Sequence, residues 1–235
     1  MKTFVFLQVG DDPLATMMVN SIIFSNPNSR IIQCSDLQTN KINGVTEVFR
    51  LDSDVTNLMT FRLEVFAKLK LTEPALYLDS DMLVLGEIFV DQFLKEADVV
   101  LCERSFNRDG NFDTNFKNMN LFQYSNKKLF EVYPILACFT ITKSYKFWLT
   151  CFHNLLELDK KFHFWYGDQE AIRNIAITGK FKIHYVPESQ VACLPEFYQK
   201  DSLPLCLHFK GNNRKNLMTN FYSDLIFRAK KTLSP

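Results

Sequence analysis

Short apolar runs alternate with longer segments of helical spacing along the first hundred residues of the chain. The apolar runs predict strands at Thr3–Val9, Arg30–Cys34, Val45–Leu51 and Ala75–Leu78. Between them, the spacing of apolar residues predicts helices from Leu14 to Phe24 and from Asn57 to Leu71. Strands and helices that alternate at short intervals are typical of a mostly parallel sheet with crossover helices.

The pattern after Gly86 is less regular. It predicts further strands at Ala97–Cys102, Ile135–Thr142 and Lys182–Val186. It predicts further helices at Tyr145–Leu158 and Asp168–Ile177. The polar, Asn-rich stretch from Glu103 to Asn120 predicts a long loop, which is either a lid beside a site or a plain surface excursion. No repeat or linker interrupts the chain, so we predict one α/β domain over residues 1–235.

Composition narrows the choice of function. The chain has 235 residues, 47% of them hydrophobic and 23% charged, which is an ordinary globular balance. A formal net charge of +1 argues against nucleic acid as the main partner. The six cysteines form no C-x-x-C pair, which predicts buried thiols in a reducing compartment. The apolar N-terminal run is too short for a signal-peptide core or a membrane span, so we expect a cytoplasmic protein.

Two carboxylates follow the predicted strand Ala75–Leu78. If the chain stays extended, Asp79 and Asp81 point to one face and Ser80 points away. Converging carboxylates repel each other unless a cation lies between them. A hard divalent metal with oxygen ligands suits such a pair and commonly also holds substrate phosphates. The pattern therefore predicts a nucleotide-dependent transfer reaction beyond the carboxyl end of a central strand.

The same tetrapeptide, Leu-Asp-Ser-Asp, also occurs earlier in the chain, at Leu51–Asp54. That copy leads into a helical pattern, and we expect Asp52, Ser53 or Asp54 to cap the next helix. Only the second copy follows a continuous apolar run, so we predict the metal site there.

Two C-terminal features allow more than one interpretation. His208 follows an apolar run, as a core histidine does, but Gly211 and the basic residues after it favour a metal ligand. The stretch 221–231 is amphipathic and basic. Such a stretch packs its aromatic residues on the domain, or it makes weak contact with an anionic membrane surface, which would suit a lipid-linked acceptor.

Three separated segments resemble one family of sugar transferases. The segments are Leu78–Asp81, Gly167–Gln169 and Leu207–Gly211, after an N-terminal βαβ unit. In order and spacing they resemble glycosyltransferase family 8, the glycogenin-like and lipopolysaccharide-galactosyltransferase-like enzymes, from about Phe4 to about Lys215. The resemblance implies a GT-A fold, with a nucleotide-binding half at 1–102 and an acceptor half with the C-terminal helix at 103–235.

The resemblance also implies roles for individual residues. Asp79, Asp81 and His208 would bind Mn²⁺ or Mg²⁺, and Gly211 would let the backbone approach the diphosphate. In the donor site, Arg214 or Lys215 would bind phosphate, and Arg62 would be the basic donor-binding residue. The residues near the nucleotide would be Ser80, Asp11 and Asp12. Asp168 would hydrogen-bond the transferred sugar, and Gln169 would lie near its reacting carbon.

The implied reaction moves a hexose from a UDP-sugar to a hydroxyl of a saccharide, lipid-linked or protein acceptor, with retention of configuration. Two family elements are replaced: Leu136–Phe139 stands in place of Asn-x-Gly, and Arg214–Asn216 in place of Lys-Pro-Trp. A non-catalytic nucleotide-binding protein therefore remains an alternative. A sugar-nucleotide nucleotidyltransferase is a second one, although Gly10–Pro13 is not the glycine-rich basic loop that such enzymes use.

Overall fold

Seven strands form the central sheet, and a separate pair of short strands lies beside it. The structure is a computed structural model that describes residues 2–199, 201 and 203–233, with side chains described as far as Leu225. The strands are β1 (Thr3–Leu7), β2 (Arg30–Ser35), β3 (Glu47–Arg50), β4 (Ala75–Leu78), β5 (Met82–Val84), β6 (Val99–Glu103), β7 (Ile135–Thr142), β8 (Ile183–Pro187) and β9 (Cys206–His208). The helices are α1 (Pro13–Ser25), α2 (Leu58–Lys68), α3 (Val90–Phe93), α4 (Leu129–Val132), α5 (Lys146–Glu157), α6 (Lys160–Phe164), α7 (Gly167–Ile177), α8 (Glu188–Val191) and α9 (Asn212–Leu233).

The strand order in the large sheet is β3-β2-β1-β4-β7-β6-β8. Strands β3, β2, β1 and β4 pair in parallel, and so do β6 and β8. Only β7 runs in the opposite direction, antiparallel to both β4 and β6. The predicted α/β class with a mostly parallel sheet is therefore confirmed. The second sheet pairs β5 with β9 in antiparallel fashion.

Burial explains why the central strands are apolar throughout. All four residues of β4 are buried, as expected for a strand covered on both faces. One face of the sheet packs against α1, and the other against α2, α5 and α7. On the second face, Tyr77 of β4 lies edge-on to Trp148 of α5, with ring centroids 4.8 Å apart, and Trp148 has no exposed surface.

Two local predictions around the Leu-Asp-Ser-Asp tetrapeptides need correction. Strand β4 ends at Leu78, and Ser80 and Asp81 form a turn before β5, so a turn rather than strand alternation brings the carboxylates together. In the first copy, no residue caps α2, whose N-cap position is Asn57. Asp54 instead accepts a 2.8 Å hydrogen bond from the Thr56 amide, because an aspartate readily closes such a turn.

Within the described residues, no helix combines the length and the apolar character needed to cross a membrane. The basic C-terminal stretch belongs to α9. The predicted membrane contact of residues 221–231 depends largely on side chains from Ile226 onward, which lie outside the described part of the chain.

Candidate active site

The turn between β4 and β5 brings two carboxylates next to an imidazole. His208 Nε2 lies 3.4 Å from Asp81 Oδ1 and 3.8 Å from Asp79 Oδ2. The β5–β9 ladder creates this contact, since it pairs Met82 with His208, and the Phe209 amide donates a 2.9 Å hydrogen bond to the Asp81 carbonyl. One ligand atom from each of Asp79, Asp81 and His208 lies within 4.8 Å of the others.

Electrostatics within this group are strong because His208 is buried and the two carboxylates are only partly exposed. Burial alone would lower the pKa of His208, but the neighbouring Cys138 and Asp81 raise it to about 10. Burial works against ionisation of Asp81, yet His208 and Lys215 hold its pKa down at about 2. The site therefore keeps Asp81 ionised and binds a proton on His208 in the absence of a metal.

This set of side chains fits a divalent cation. Two carboxylates and one imidazole nitrogen converge on one point, and a cation there would take the place of the proton on His208. Oxygen and nitrogen donors together suit Mn²⁺, and the carboxylates alone would also serve Mg²⁺.

Arg62 of α2 connects the carboxylates to the start of α7. Its Nη2 donates a 2.6 Å hydrogen bond to Asp79 Oδ1, and its Nη1 donates a 2.8 Å hydrogen bond to Asp168 Oδ2. Burial raises the pKa of Asp168, although Arg62 opposes that shift. The guanidinium therefore fixes two acidic groups from distant parts of the chain against each other.

The first turn of α7 presents Asp168 and Gln169 to the same space. The Gln169 amide donates a 2.8 Å hydrogen bond to Asp168 Oδ1. Gln169 Oε1 is buried and has no hydrogen-bond partner among the described residues. Gly167 permits this turn, because a Cβ at that position would lie 2.2 Å from the Phe162 carbonyl oxygen. The Gln169 Oε1 can therefore accept a hydrogen bond from a ligand that enters the site.

Three basic residues line the same cavity as Asp79, Asp81 and His208, and they differ in their partners. Lys215 Nζ lies 3.5 Å from Asp81 Oδ2. Arg214 Nε instead lies 3.0 Å from both carboxylate oxygens of Glu196. Lys210, which sequence analysis did not select, pairs with the fully buried Glu188 at 2.5 Å. Of these three residues, Lys215 is the one that lies beside the candidate metal ligands.

The two aspartates of the N-terminal turn lie in different places. Asp12 caps α1, since its Oδ1 accepts a 2.9 Å hydrogen bond from the Leu14 amide. Asp11 accepts a 3.0 Å hydrogen bond from Asn40 and lines a smaller depression of about 380 Å³. Asp12 lines both that depression and the large cavity beside it.

A cavity of about 1180 Å³ unites most of the predicted residues. The predicted residues that line it are Asp12, Arg62, Asp79, Ser80, Asp81, Asp168, Gln169, His208, Gly211, Arg214 and Lys215. Asp11 does not line it.

Sequence analysis missed several other lining residues. Lys210, Cys138, Phe116, Trp165 and Tyr166 all line the cavity. Cys138 is one of six free, buried thiols, and burial and neighbouring groups raise its pKa well above the usual value, so it is no ready nucleophile. The position of Trp165 next to Gly167–Gln169 was the available signal for the aromatic residues.

Several solved structures with the same architecture are sugar transferases by name. The glycosyltransferase GlyE of Streptococcus pneumoniae TIGR4 superposes with a TM-score of 0.60 and 14% identity over 98% of this chain. LgtC, in complex with donor and acceptor sugar analogs, superposes with a TM-score of 0.58 and 14% identity over 99% of this chain and 97% of its own. This chain has the GT-A glycosyltransferase fold.

The likeness rests on structure and not on sequence. An active-site mutant of LgtC gives the same result, with a TM-score of 0.58 over 96% of this chain. The chain spans 63% of the length of GlyE. No protein-family model and no curated protein matches the sequence.

Proposed function

We propose that the protein is a metal-dependent glycosyltransferase, which transfers a hexose from a UDP-sugar to an acceptor hydroxyl with retention of configuration. The observation that carries this proposal is the convergence of Asp79, Asp81 and His208 at the carboxyl end of the central strand β4, in a glycosyltransferase fold. Ligands of open α/β sheets bind at that edge.

Asp79, Asp81 and His208 would hold the divalent ion, which as a Lewis acid would neutralise charge on the leaving diphosphate. Lys215 is already placed beside Asp81, and it would add a positive charge to the same diphosphate. Gly211 has a φ of +84° and no atoms within 4 Å of the space that a Cβ would fill, which leaves room for a phosphate near the backbone.

Asp168 and Gln169 would bind the transferred sugar. Arg62 and the Gln169 amide each bond one oxygen of the Asp168 carboxylate and hold it in one orientation. A carboxylate oxygen can accept two hydrogen bonds, so each of the two could also accept from a sugar hydroxyl. The Gln169 Oε1 has no hydrogen-bond partner among the described residues and lies one residue further along α7. It would accept a hydrogen bond from another N–H or O–H group near the reacting carbon. In this assignment both side chains orient the donor sugar for attack by the acceptor.

The remaining assignments follow from the same site. Residues 1–102 would form the nucleotide-binding half, with Asp11 and Asp12 near the nucleoside, and residues 103–235 the acceptor half. The acceptor is a saccharide, free or linked to a lipid or protein, and the reaction takes place in the cytoplasm.

Calorimetric titration of UDP tests the proposal directly. We expect binding with Mn²⁺ present and its loss in excess chelator, followed by slow hydrolysis when UDP-hexoses replace UDP. Metal-dependent binding of UDP with no turnover of any UDP-hexose would identify a non-catalytic nucleotide-binding protein. Absence of UDP binding in both conditions would contradict the proposal.

A further inference from the structure

The cavity has two chemically different sides. The metal ligands and Lys215 make one side ionic. Three aromatic residues, Phe116, Trp165 and Tyr166, line another part, and we refer to them as the aromatic wall. Nothing in the proposed transfer of a hexose from a UDP-sugar uses this wall.

The wall is a connected group of rings. The ring centroid of Phe116 lies 6.2 Å from that of Trp165 and 5.7 Å from that of Tyr166. Lys117 Nζ lies 4.9 Å from the centre of the Trp165 ring, within the range of a cation–π contact. Phe116 is 37% exposed and lines the cavity, so part of its ring is open to a ligand that enters there.

Packing behind the wall fixes its orientation. Tyr166 has a left-handed backbone, with φ of +59°, and its ring stacks on buried Tyr133 at 4.8 Å. A left-handed conformation in a bulky residue costs on the order of 1–3 kcal/mol and persists only where the surroundings impose it. The next residue, Gly167, is also closely packed, since a Cβ there would lie 2.2 Å from the Phe162 carbonyl oxygen. The turn therefore holds Trp165 and Tyr166 towards the cavity instead of leaving them free to fold away.

The sheet order separates the wall from the nucleoside end. Asp79 follows β4, which lies between β1 and β7. The Val9–Asp12 turn follows β1 on one side of Asp79. Phe116 belongs to the segment between β6 and β7 on the other side. Trp165 leads directly into the turn that carries Asp168. The wall thus lies beyond the expected donor sugar, away from the expected nucleoside.

Sugar rings are suited to such a surface. A pyranose presents an apolar face of C–H groups and a polar edge of hydroxyls, and a partly exposed aromatic ring covers the face while the edge stays hydrated. We propose that Phe116 and Trp165 bind the ring of a saccharide acceptor by stacking, next to the donor sugar. This assignment rests on the proposed transferase function and specifies the acceptor within it.

Tryptophan fluorescence can test the assignment, because the chain has two tryptophans in different surroundings. Trp148 is 0% exposed, whereas Trp165 lines the cavity. Quenching by acrylamide should therefore report mainly on Trp165, and Trp165→Phe should remove most of it. With UDP and Mn²⁺ bound, we expect lactose, cellobiose or maltose to protect the protein from acrylamide. If UDP still binds but none of the three disaccharides protects the protein, the assignment is overturned and the transferase proposal still stands.

The chain offers a matched pair of variants. Phe116→Ala should weaken binding of the protective disaccharide about tenfold, as expected for loss of one stacking partner, with UDP affinity unchanged. Phe122→Ala is the control, since Phe122 is in the same loop and 65% exposed but does not line the cavity. Equal effects of the two variants would contradict the assignment.

Protection of Trp165 by UDP alone would also contradict it, since the wall would then belong to the nucleotide. Failure of UDP to bind at all would defeat the transferase proposal and this assignment with it.

Discussion

Arg62 and Asp168 are 106 residues apart in the chain, and a 2.8 Å hydrogen bond joins them. Arg62 comes from the helix before the Asp-x-Asp turn and Asp168 from the helix that would hold the donor sugar. The other terminal nitrogen of Arg62, Nη2, donates a hydrogen bond to Asp79. The guanidinium therefore couples the proposed metal site to the proposed sugar site through a rigid, planar group.

Replacement of Arg62 by alanine should damage stability and donor turnover together. Asp168 would keep a carboxylate that is 3% exposed without its cation, and breaking such a pair costs about 3 kcal/mol. We expect a lower Tm and a loss of UDP-hexose hydrolysis of at least about 100-fold, since sugar orientation is lost. Arg62→Lys is the control: it keeps the charge but loses the bidentate geometry, and it should recover much of the Tm but little of the turnover. Full turnover in Arg62→Lys would show that charge alone matters.

The repeated tetrapeptide provides an internal control for the metal site. Asp81→Ala should abolish Mn²⁺-dependent binding of UDP and leave the circular dichroism spectrum unchanged, because the variant removes a ligand and not a packing contact. Asp54→Ala removes the equivalent aspartate of the first copy, which only closes a local turn. Calorimetry on both should show loss of binding in the first alone. Loss of UDP binding in Asp54→Ala, with binding retained in Asp81→Ala, would show that the metal site is at the first copy and not at the second.

Lys215 and Arg214 should differ although they are neighbours. Lys215→Ala removes the positive charge beside Asp81 and should weaken UDP binding about tenfold, the size of one charge-assisted contact. Arg214→Ala mainly breaks the pair with Glu196 at the cavity edge, and we expect a change below about threefold. The two dissociation constants, measured with Mn²⁺ at one ionic strength, decide between them. A larger effect of Arg214→Ala would reverse the assignment of the phosphate-binding residue.

Metal binding should depend on pH through His208. Without metal, the pKa of His208 is raised from 6.5 to about 10, so the imidazole carries a proton over the physiological range. A metal ion needs the neutral imidazole and must displace that proton. Mn²⁺ affinity should therefore rise with pH between about 6 and 9, by up to about tenfold per pH unit.

Proton release gives a second measure of the same linkage. At pH 8, calorimetric titration of Mn²⁺ in two buffers of different ionisation enthalpy should show release of about one proton per ion. The variant His208→Asn should release none. Proton release that is unchanged in His208→Asn would exclude this imidazole as the source.

Local sequence signals predicted the sheet and the position of the acidic pair, but not the turn that carries this pair. The continuous apolar run of β4 marked a central strand, and Asp79 and Asp81 lie at its end because ligand-binding loops follow such strands. The alternation of apolar runs and helical spacing likewise predicted β1, α1, β2 and α2, with boundaries within a few residues.

Long-range contacts were harder to predict. Strands β5 and β9 have three residues each, too few for a periodic signal, yet their pairing brings His208 to the carboxylates. Nothing in the local sequence distinguishes Arg214, paired with Glu196, from Lys215, beside Asp81. The aromatic wall also depends on tertiary packing, because Phe116 and Trp165 belong to segments far apart in the chain.

The pairing of β5 with β9 also has a consequence for synthesis of the protein. Asp79 and Asp81 leave the ribosome long before β9, and until then they have no imidazole partner. A nascent chain that ends before Cys206 contains every strand of the large sheet but lacks the imidazole of the candidate metal-binding group. If the site binds an ion as proposed, high-affinity uptake would be a late event in synthesis, and a chain that is cut short upstream of His208 would be unable to compete for the metal.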